Sequence, residues 1–100
     1  MRIPYLLAGL TVLASSALFS RPAVAPCTTS TAACEQWVTL GGGPARSMVY
    51  STYSLDKPNP AITRALIMVH GADRNAAHYF ATATAAGFLA GALGHTVIIA

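Results

Sequence analysis

Residues 65–75 read Ala-Leu-Ile-Met-Val-His-Gly-Ala-Asp-Arg-Asn, and this stretch decides the fold. An apolar run from Ala65 to Val69 stops at His70-Gly71, and an Ala-rich segment follows the polar residues. The run lacks alternation, which predicts a central parallel strand that helices cover on both faces. Asn75 can cap the next helix because its side chain can accept a backbone N–H bond. The stretch therefore predicts a buried strand that leads through a loop into a helix.

The segment after Asn75 predicts a helix over residues 76–93, with Gly94 as its stop. Small residues form a smooth stripe along it at intervals of four: Ala83, Gly87 and Gly91. That spacing also suits a membrane helix dimer, but the segment is short for a span and carries polar residues, so packing on a sheet is favoured. Residues 96–100 predict a second buried strand. Without its neighbouring strands, it is expected to form an exposed edge of the sheet. Together these elements predict a right-handed βαβ unit with parallel strands.

An antiparallel hairpin is predicted before this unit. Its strands cover residues 35–40 and 47–54, and Gly41-Gly42-Gly43-Pro44 forms the turn. The second strand alternates, with one face formed by Met48, Tyr50 and Thr52 and the other by Val49, Ser51 and Tyr53. Trp37, Tyr50 and Tyr53 are expected to pack within the hairpin rather than to form a carbohydrate platform. The whole order predicts an α/β fold.

The N-terminus predicts a secretory signal peptide over residues 1–25. Arg2 provides the charged start, an apolar run follows, and Ala23-Val24-Ala25 has the small-x-small form of a cleavage site. Pro26 is unfavourable directly after that site, so cleavage closer to Ser15-Ser16-Ala17 remains open. An uncleaved anchor and a lipoprotein with a lipidated Cys27 remain open as well. The favoured prediction is a secreted or periplasmic protein without a stable membrane span after cleavage.

Two cysteines, Cys27 and Cys34, lie in a Thr/Ser/Ala/Pro linker over residues 26–34 that is expected to be loosely ordered. In an exported protein such a pair is expected to form a disulfide. The spacing is not Cys-x-x-Cys, which argues against a redox role, and no His lies nearby to suggest zinc. The pair is therefore interpreted as a structural cross-link at the N-terminus of the mature protein.

The charge pattern excludes one class of partner. Removal of residues 1–25 leaves four Lys/Arg against three Asp/Glu, a net charge of +1. These charges are scattered and form no basic stripe, so nucleic-acid binding has no support. The sequence also implies no cofactor and no metal.

The chain from Trp37 to Ala100 resembles the N-terminal part of an α/β-hydrolase, with the sharpest match at residues 66–80. The string His-Gly-Ala-Asp-Arg-Asn-Ala, residues 70–76, is similar to the loop of secreted esterases related to polyhydroxyalkanoate depolymerases and feruloyl esterases. The fold class that the resemblance implies is an N-terminal fragment of an α/β-hydrolase fold: an edge hairpin and a βαβ unit over residues 35–100, incomplete as a domain.

In that family the loop after the strand supplies half of the oxyanion hole. The resemblance assigns the backbone donor to Ala72, with Gly71 permitting the sharp turn and His70 bracing the loop. Asp73 and Arg74 are the residues that could contact substrate, although a salt bridge or a solvated loop is the simpler interpretation. Neither His78 nor His95 fits the catalytic base, which follows the nucleophile in this fold, and both are expected to be solvated. Ser47, Ser51 and Ser54 lie in no Gly-x-Ser-x-Gly context.

The sequence thus predicts the N-terminal portion of an exported serine hydrolase acting on a small-molecule or polymeric ester, or a related acyl bond. The 100-residue chain lacks the nucleophile, the acid and the base, and is expected to be inactive by itself. The alternatives are a noncatalytic exported binding protein with an α/β-hydrolase-like sheet, a truncated reading frame without a function of its own, and a small membrane-anchored protein.

Overall fold

The computed structural model describes residues 23–100 together with Arg2, Pro4 and Gly9. The apolar run of the predicted signal peptide lies outside the described residues. The described elements are a short 3-10 helix at Ala32–Cys34, strands β1 (Glu35–Thr39), β2 (Arg46–Tyr50) and β3 (Arg64–Ile67), helix α1 (Ala76–Leu89) and strand β4 (Thr96–Ile99). This order of hairpin, strand, helix and strand is the small α/β arrangement that the sequence predicts.

Two strand pairs form the predicted ladders. β1 and β2 pair antiparallel, with Trp37 opposite Met48, and the glycine turn joins them. β3 and β4 pair in parallel, with Arg64 opposite Thr96. The hairpin and the parallel βαβ arrangement are therefore confirmed, with each strand a little shorter than its sequence pattern indicates.

The two ladders join through β4, so the expectation that residues 96–100 form an exposed edge is wrong. Tyr50 and Ala100 exchange backbone hydrogen bonds of 2.8 and 3.0 Å. Ser51 forms an antiparallel bridge with Ile99, and the Thr52 N–H donates to the Ile98 carbonyl at 3.0 Å. The two two-stranded sheets, β1-β2 and β3-β4, are thus joined where residues 50–52 pair with residues 98–100, so the end of β4 has a partner on each side and β3 is paired on one side only.

Helix α1 covers one face of this sheet. Phe80 is fully buried and its ring stacks on Tyr50, with 5.6 Å between the ring centroids. Cys34, Ala83 and Ile98 complete the buried cluster around Phe80. Within the small-residue stripe, Gly87 lies against side chains of the core, and an added Cβ there would be 3.1 Å from Cδ1 of Ile98.

The helix ends earlier than predicted. Its last residue is Leu89, and Gly91, at φ +65°, stops it instead of Gly94. The Gly91 N–H donates to the Phe88 carbonyl and the Ala92 N–H to the Gly87 carbonyl, at 3.0 and 2.8 Å. These two bonds make a Schellman motif, in which a left-handed glycine satisfies the last carbonyls of a helix.

The apolar pattern of residues 65–69 predicts helices on both faces of the strand, and the described part of the chain supplies a helix on one face only. Ile67 and Val69 are 66% and 82% exposed. The pairing places Ile67 beside Ile99 on one face, whereas Ile98 and Tyr50 lie on the face that α1 covers. Because α1 is the only α-helix in the described part of the chain, the Ile67 face has no cover there.

The segment before β1 is attached to the sheet at both of its cysteines. Cys27 and Cys34 form the expected disulfide. The Cys27 N–H donates to the Thr52 carbonyl at 2.7 Å, and the Ser51 N–H donates to the Cys34 carbonyl at 2.9 Å. Since this bond uses the Cys27 sulfur, the structure is not that of a lipoprotein modified at this residue. Among the described residues, no helix has the length and apolar character needed to cross a membrane.

The predicted two-face alternation of β2 ends at Tyr50. Ser51, Thr52 and Tyr53 are all buried, because this segment leaves the hairpin and lies against β4. Their polar groups are satisfied: the Ser51 hydroxyl donates to the Tyr53 carbonyl at 2.7 Å, and Thr52 Oγ1 accepts the Ile98 N–H at 2.9 Å. Trp37, by contrast, is 60% exposed, and the Arg46 guanidinium lies 4.5 Å from its ring centroid.

Candidate functional site

The loop between β3 and α1, residues 68–75, contains every residue that the sequence assigns to the site. Its first end is attached to the sheet, where the Met68 N–H donates to the Ile99 carbonyl at 2.8 Å. Its second end is the start of the helix, where the Asn75 carbonyl accepts N–H bonds from His78 and Tyr79 at 3.0 and 3.3 Å. The loop is thus held at both ends by backbone hydrogen bonds.

Asn75 occupies the N-cap position, but not in the way predicted. Its side chain makes no capping hydrogen bond, and its backbone φ and ψ of −101° and 51° lie outside the extended region. A side-chain oxygen normally reaches the second or third helical N–H from an extended cap residue. Asn75 therefore begins the helix through its carbonyl alone.

A tight turn forms the centre of the loop. The Arg74 N–H donates to the Gly71 carbonyl at 3.1 Å, which closes a four-residue turn around Ala72 and Asp73. Arg74 has a φ of +50°, and it is the only non-glycine residue in the described part of the chain with a positive φ. Such backbone strain is uncommon in non-glycine residues and concentrates at functional sites.

The His70 ring bonds to the backbone of the same loop. Its Nδ1 lies 2.8 Å from the Gly71 carbonyl oxygen. A carbonyl can only accept, so Nδ1 carries the proton and donates, which leaves Nε2 free as an acceptor in the neutral ring. His70 is exposed, and the arrangement is that of a residue holding the loop's own backbone.

Ala72 has a backbone N–H without an acceptor in residues 23–100. The residue is exposed, so its donor is open to solvent or to a ligand. The N–H groups of its exposed neighbours Gly71 and Asp73 likewise have no acceptor in this range. The loop therefore presents several open backbone donors next to the strained Arg74, between two ends that are attached to the sheet and the helix.

A shallow cavity of about 340 Å³ lies beside the loop on the uncovered sheet face. His70 and Arg74 line its polar side, whereas Asp73 does not line it. The remaining wall comes largely from the sheet: Ser47, Met48, Val49, Ile67, Met68, Val69, Ala76, Ile99 and Ala100. The structure therefore brings His70 and Arg74 together at an apolar surface and leaves Asp73 on the solvent side.

The serine hydroxyls do not form a nucleophile site in the described residues. Ser47 Oγ donates to the Met48 carbonyl at 3.4 Å, Ser51 is buried, and Ser54 Oγ accepts the Asp56 N–H at 3.3 Å. His78 is exposed as expected, whereas His95 is half-buried and its carbonyl accepts the Thr63 N–H at 2.9 Å. Across the ranges that the structure describes, no group of three His, Cys, Asp or Glu could hold a metal ion.

One contact near the site was not predicted from the sequence. The Ser30 hydroxyl donates to the Ala77 carbonyl, in the first turn of α1, at 2.7 Å. The two residues are 47 positions apart, and Ser30 lies in a segment whose composition indicates only a linker. No local sequence signal could have identified this contact.

Comparison of the chain with protein-family models, with curated proteins and with solved structures finds no match.

Proposed function

We propose that the chain is the N-terminal portion of an exported serine hydrolase, and that the Ala72 N–H is one donor of its oxyanion hole. Attack on an ester carbonyl places negative charge on oxygen, and a rigid N–H donor stabilises that charge without having to reorganise. The substrate would be a small-molecule or polymeric ester, or a related acyl compound.

The position of the Ala72 N–H, directly after His70-Gly71, carries the proposal. It lies in the loop between the third strand and the first helix, which is the loop that supplies a backbone donor to the oxyanion hole of α/β-hydrolases. The βαβ arrangement and the His70-Gly71 sequence at the end of β3 support the same assignment. The second donor, the nucleophile, the acid and the base would come from residues after Ala100.

Export is the second part of the proposal. It is supported by the Cys27–Cys34 disulfide, since such bonds persist in oxidising compartments and are rare in the cytosol. It is also supported by the charged start and apolar run of the sequence before residue 23.

The first test is the nucleotide sequence directly after codon 100, translated in all frames. We expect a Gly-x-Ser-x-Gly motif between a strand pattern and a helix pattern, followed by an Asp or Glu and a His. A stop codon with no such motif in any frame over the next few hundred codons would overturn the proposal.

The second test uses the protein from that longer frame and changes Ala72 alone. Ala72→Pro removes the N–H and should lower kcat on a p-nitrophenyl ester by about 100- to 1000-fold. Ala72→Gly is the matched control because it keeps the N–H and should retain activity. The Tm of both variants separates loss of the donor from loss of the fold, and equal kcat values in two folded variants would contradict the assignment.

A noncatalytic exported binding protein is the second candidate, and the uncovered sheet face favours it. Ile67 and Val69 are exposed next to a cavity that Arg74 also lines. A longer frame that continues the sheet but lacks Gly-x-Ser-x-Gly would select this candidate.

A further inference from the structure

We infer that the disulfide-closed segment Cys27–Cys34 is a strap that fixes the start of α1, and through it the loop 68–75, and that Ser30 is the positioning residue of this strap. The inference rests on the proposed function in one respect only, because the catalytic role of the loop comes from that proposal. The mechanical coupling itself can be tested in the chain as it stands.

The strap is attached to the sheet at both of its ends. Its first residue donates an N–H to Thr52, and its last residue accepts an N–H from Ser51. The disulfide closes the segment between these attachments, with seven positions from Cys27 to Cys34. The strap is thus fixed to the part of the chain that pairs with β4.

The middle of the strap contacts the helix. The 2.7 Å bond from the Ser30 hydroxyl ends on Ala77, the second residue of α1. Cys34 is 1% exposed and packs in the cluster of Phe80, Ala83 and Ile98. One polar and one apolar contact therefore join the strap to the first two turns of the helix.

The start of the helix in turn fixes the second end of the loop. The Asn75 carbonyl holds the loop through the N–H groups of His78 and Tyr79, and Asn75 directly follows the strained Arg74. The first turn of a helix is its weakest part, because its N–H groups lack partners within the helix. A contact that holds this turn from outside the helix therefore restricts the movement of the loop and of the Ala72 N–H.

Reduction of the disulfide should release this restraint. Two electrons and two protons from a dithiol such as dithiothreitol convert the disulfide to two thiols, and the dithiol becomes a cyclic disulfide. The strap then loses its closure, and Ser30 is no longer held against Ala77. Redox state and loop order are therefore coupled in this fold.

The experiment is amide hydrogen exchange by NMR on the intact 100-residue chain. The reporting amides are Arg74, His78 and Tyr79, whose hydrogen bonds define the turn and the helix start. The Leu40 amide is the internal reference, since it bonds to Ala45 at the far tip of the hairpin. Ser30→Ala should speed exchange of the three reporters about five-fold, the factor expected for one lost hydrogen bond, and leave Leu40 unchanged.

Two variants make the result specific. Ser30→Thr keeps a hydroxyl and should restore slow exchange. Thr31→Ala is the matched control, because the Thr31 hydroxyl contacts only that of Thr29 within the described residues. Dithiothreitol should accelerate the three reporters in the wild type by more than Ser30→Ala does.

Each other outcome counts against the inference. If Ser30→Ala or reduction changes no reporter, or changes Leu40 equally, the strap does not position the loop. These measurements need no substrate and no residue beyond Ala100. A missing Gly-x-Ser-x-Gly motif would therefore refute the proposed hydrolase function without affecting the strap, and unchanged exchange would refute the strap without affecting the proposed function.

Discussion

The Tyr53 hydroxyl donates a 2.7 Å hydrogen bond to the carbonyl of Leu93, 40 residues later in the chain. Tyr53 lies just after the segment that pairs with β4, and Leu93 lies in the turn between α1 and β4. The bond therefore joins the end of the hairpin region to the connection that returns the chain to the sheet. Tyr53 is buried, so its hydroxyl depends on this partner.

Tyr53→Phe should lower the free energy of unfolding by about 1–2 kcal/mol, because it leaves the Leu93 carbonyl without this donor. Urea denaturation measures the change. Tyr79→Phe is the control, since the Tyr79 hydroxyl has no hydrogen-bond partner in residues 23–100 and its removal should be close to neutral. Equal stabilities of the two variants would show that the bond contributes nothing.

Gly87→Ala should destabilise the protein although alanine is the better helix former. The new methyl carbon would lie 3.0 Å from Cδ2 of Leu93 and 3.1 Å from Cδ1 of Ile98. Overpacking costs about 1–3 kcal/mol, and because two side chains would have to shift we expect this cost to outweigh the gain of about 1 kcal/mol in helix propensity. Thr82→Ala, at an exposed position of the same helix, should instead raise the Tm slightly. A Gly87→Ala variant more stable than the wild type would contradict the packing argument.

Gly91→Ala should cost about 1–2 kcal/mol for a different reason. No atom lies within 4 Å of an added Cβ, but the φ of +65° is the left-handed conformation that side chains disfavour. Thermal unfolding should show a smaller loss for Gly91→Asn, which tolerates this conformation better. Gly94→Ala, where a Cβ also meets open space and φ is not positive, should change the Tm little. Similar losses at both glycines would rule out backbone strain as the cause.

Val69→Lys should reduce self-association without loss of stability. Val69 is 82% exposed two residues after β3, and an exposed apolar edge promotes pairing between chains. We expect the wild type to gain apparent mass with concentration in light scattering, and the variant to stay closer to 10.3 kDa. Thr82→Lys adds the same charge on the exposed side of α1 and should leave the association unchanged. If both lysines act alike, charge rather than the strand edge governs association.

Local sequence patterns predicted most of the elements. Alternation after the glycine turn indicated the hairpin, the apolar run before His70-Gly71 indicated β3, and the two cysteines indicated the disulfide. In each case the signal lies within the element itself or in two nearby residues. The loop of the candidate site was found in the same way, because it follows directly from the end of a strand.

The errors concern contacts that local composition does not show. The sequence around Thr96 cannot show that Tyr50 to Thr52 will pair with the far side of β4. By composition, Gly91 and Gly94 could each end the helix equally well. Only the hydrogen bonds from Gly91 and Ala92 to the carbonyls of Phe88 and Gly87 show that the helix ends at Gly91. Cover on both faces of β3 was inferred from hydrophobicity, which reports a preference for burial and not the presence of a partner.

The interior position of β4 has a kinetic consequence. The Thr52 hydroxyl oxygen and the Ile98 N–H that it accepts are separated by 46 residues, so the hairpin and the rest of the sheet are joined only through contacts of high sequence separation. Contacts of this kind form slowly, because a long loop must close before they can stabilise the fold. During synthesis the hairpin can form early, but it cannot pair with β4 until residues 96–100 have left the ribosome. Until then, the backbone groups of residues 50–52 that later bond to β4 have no strand partner.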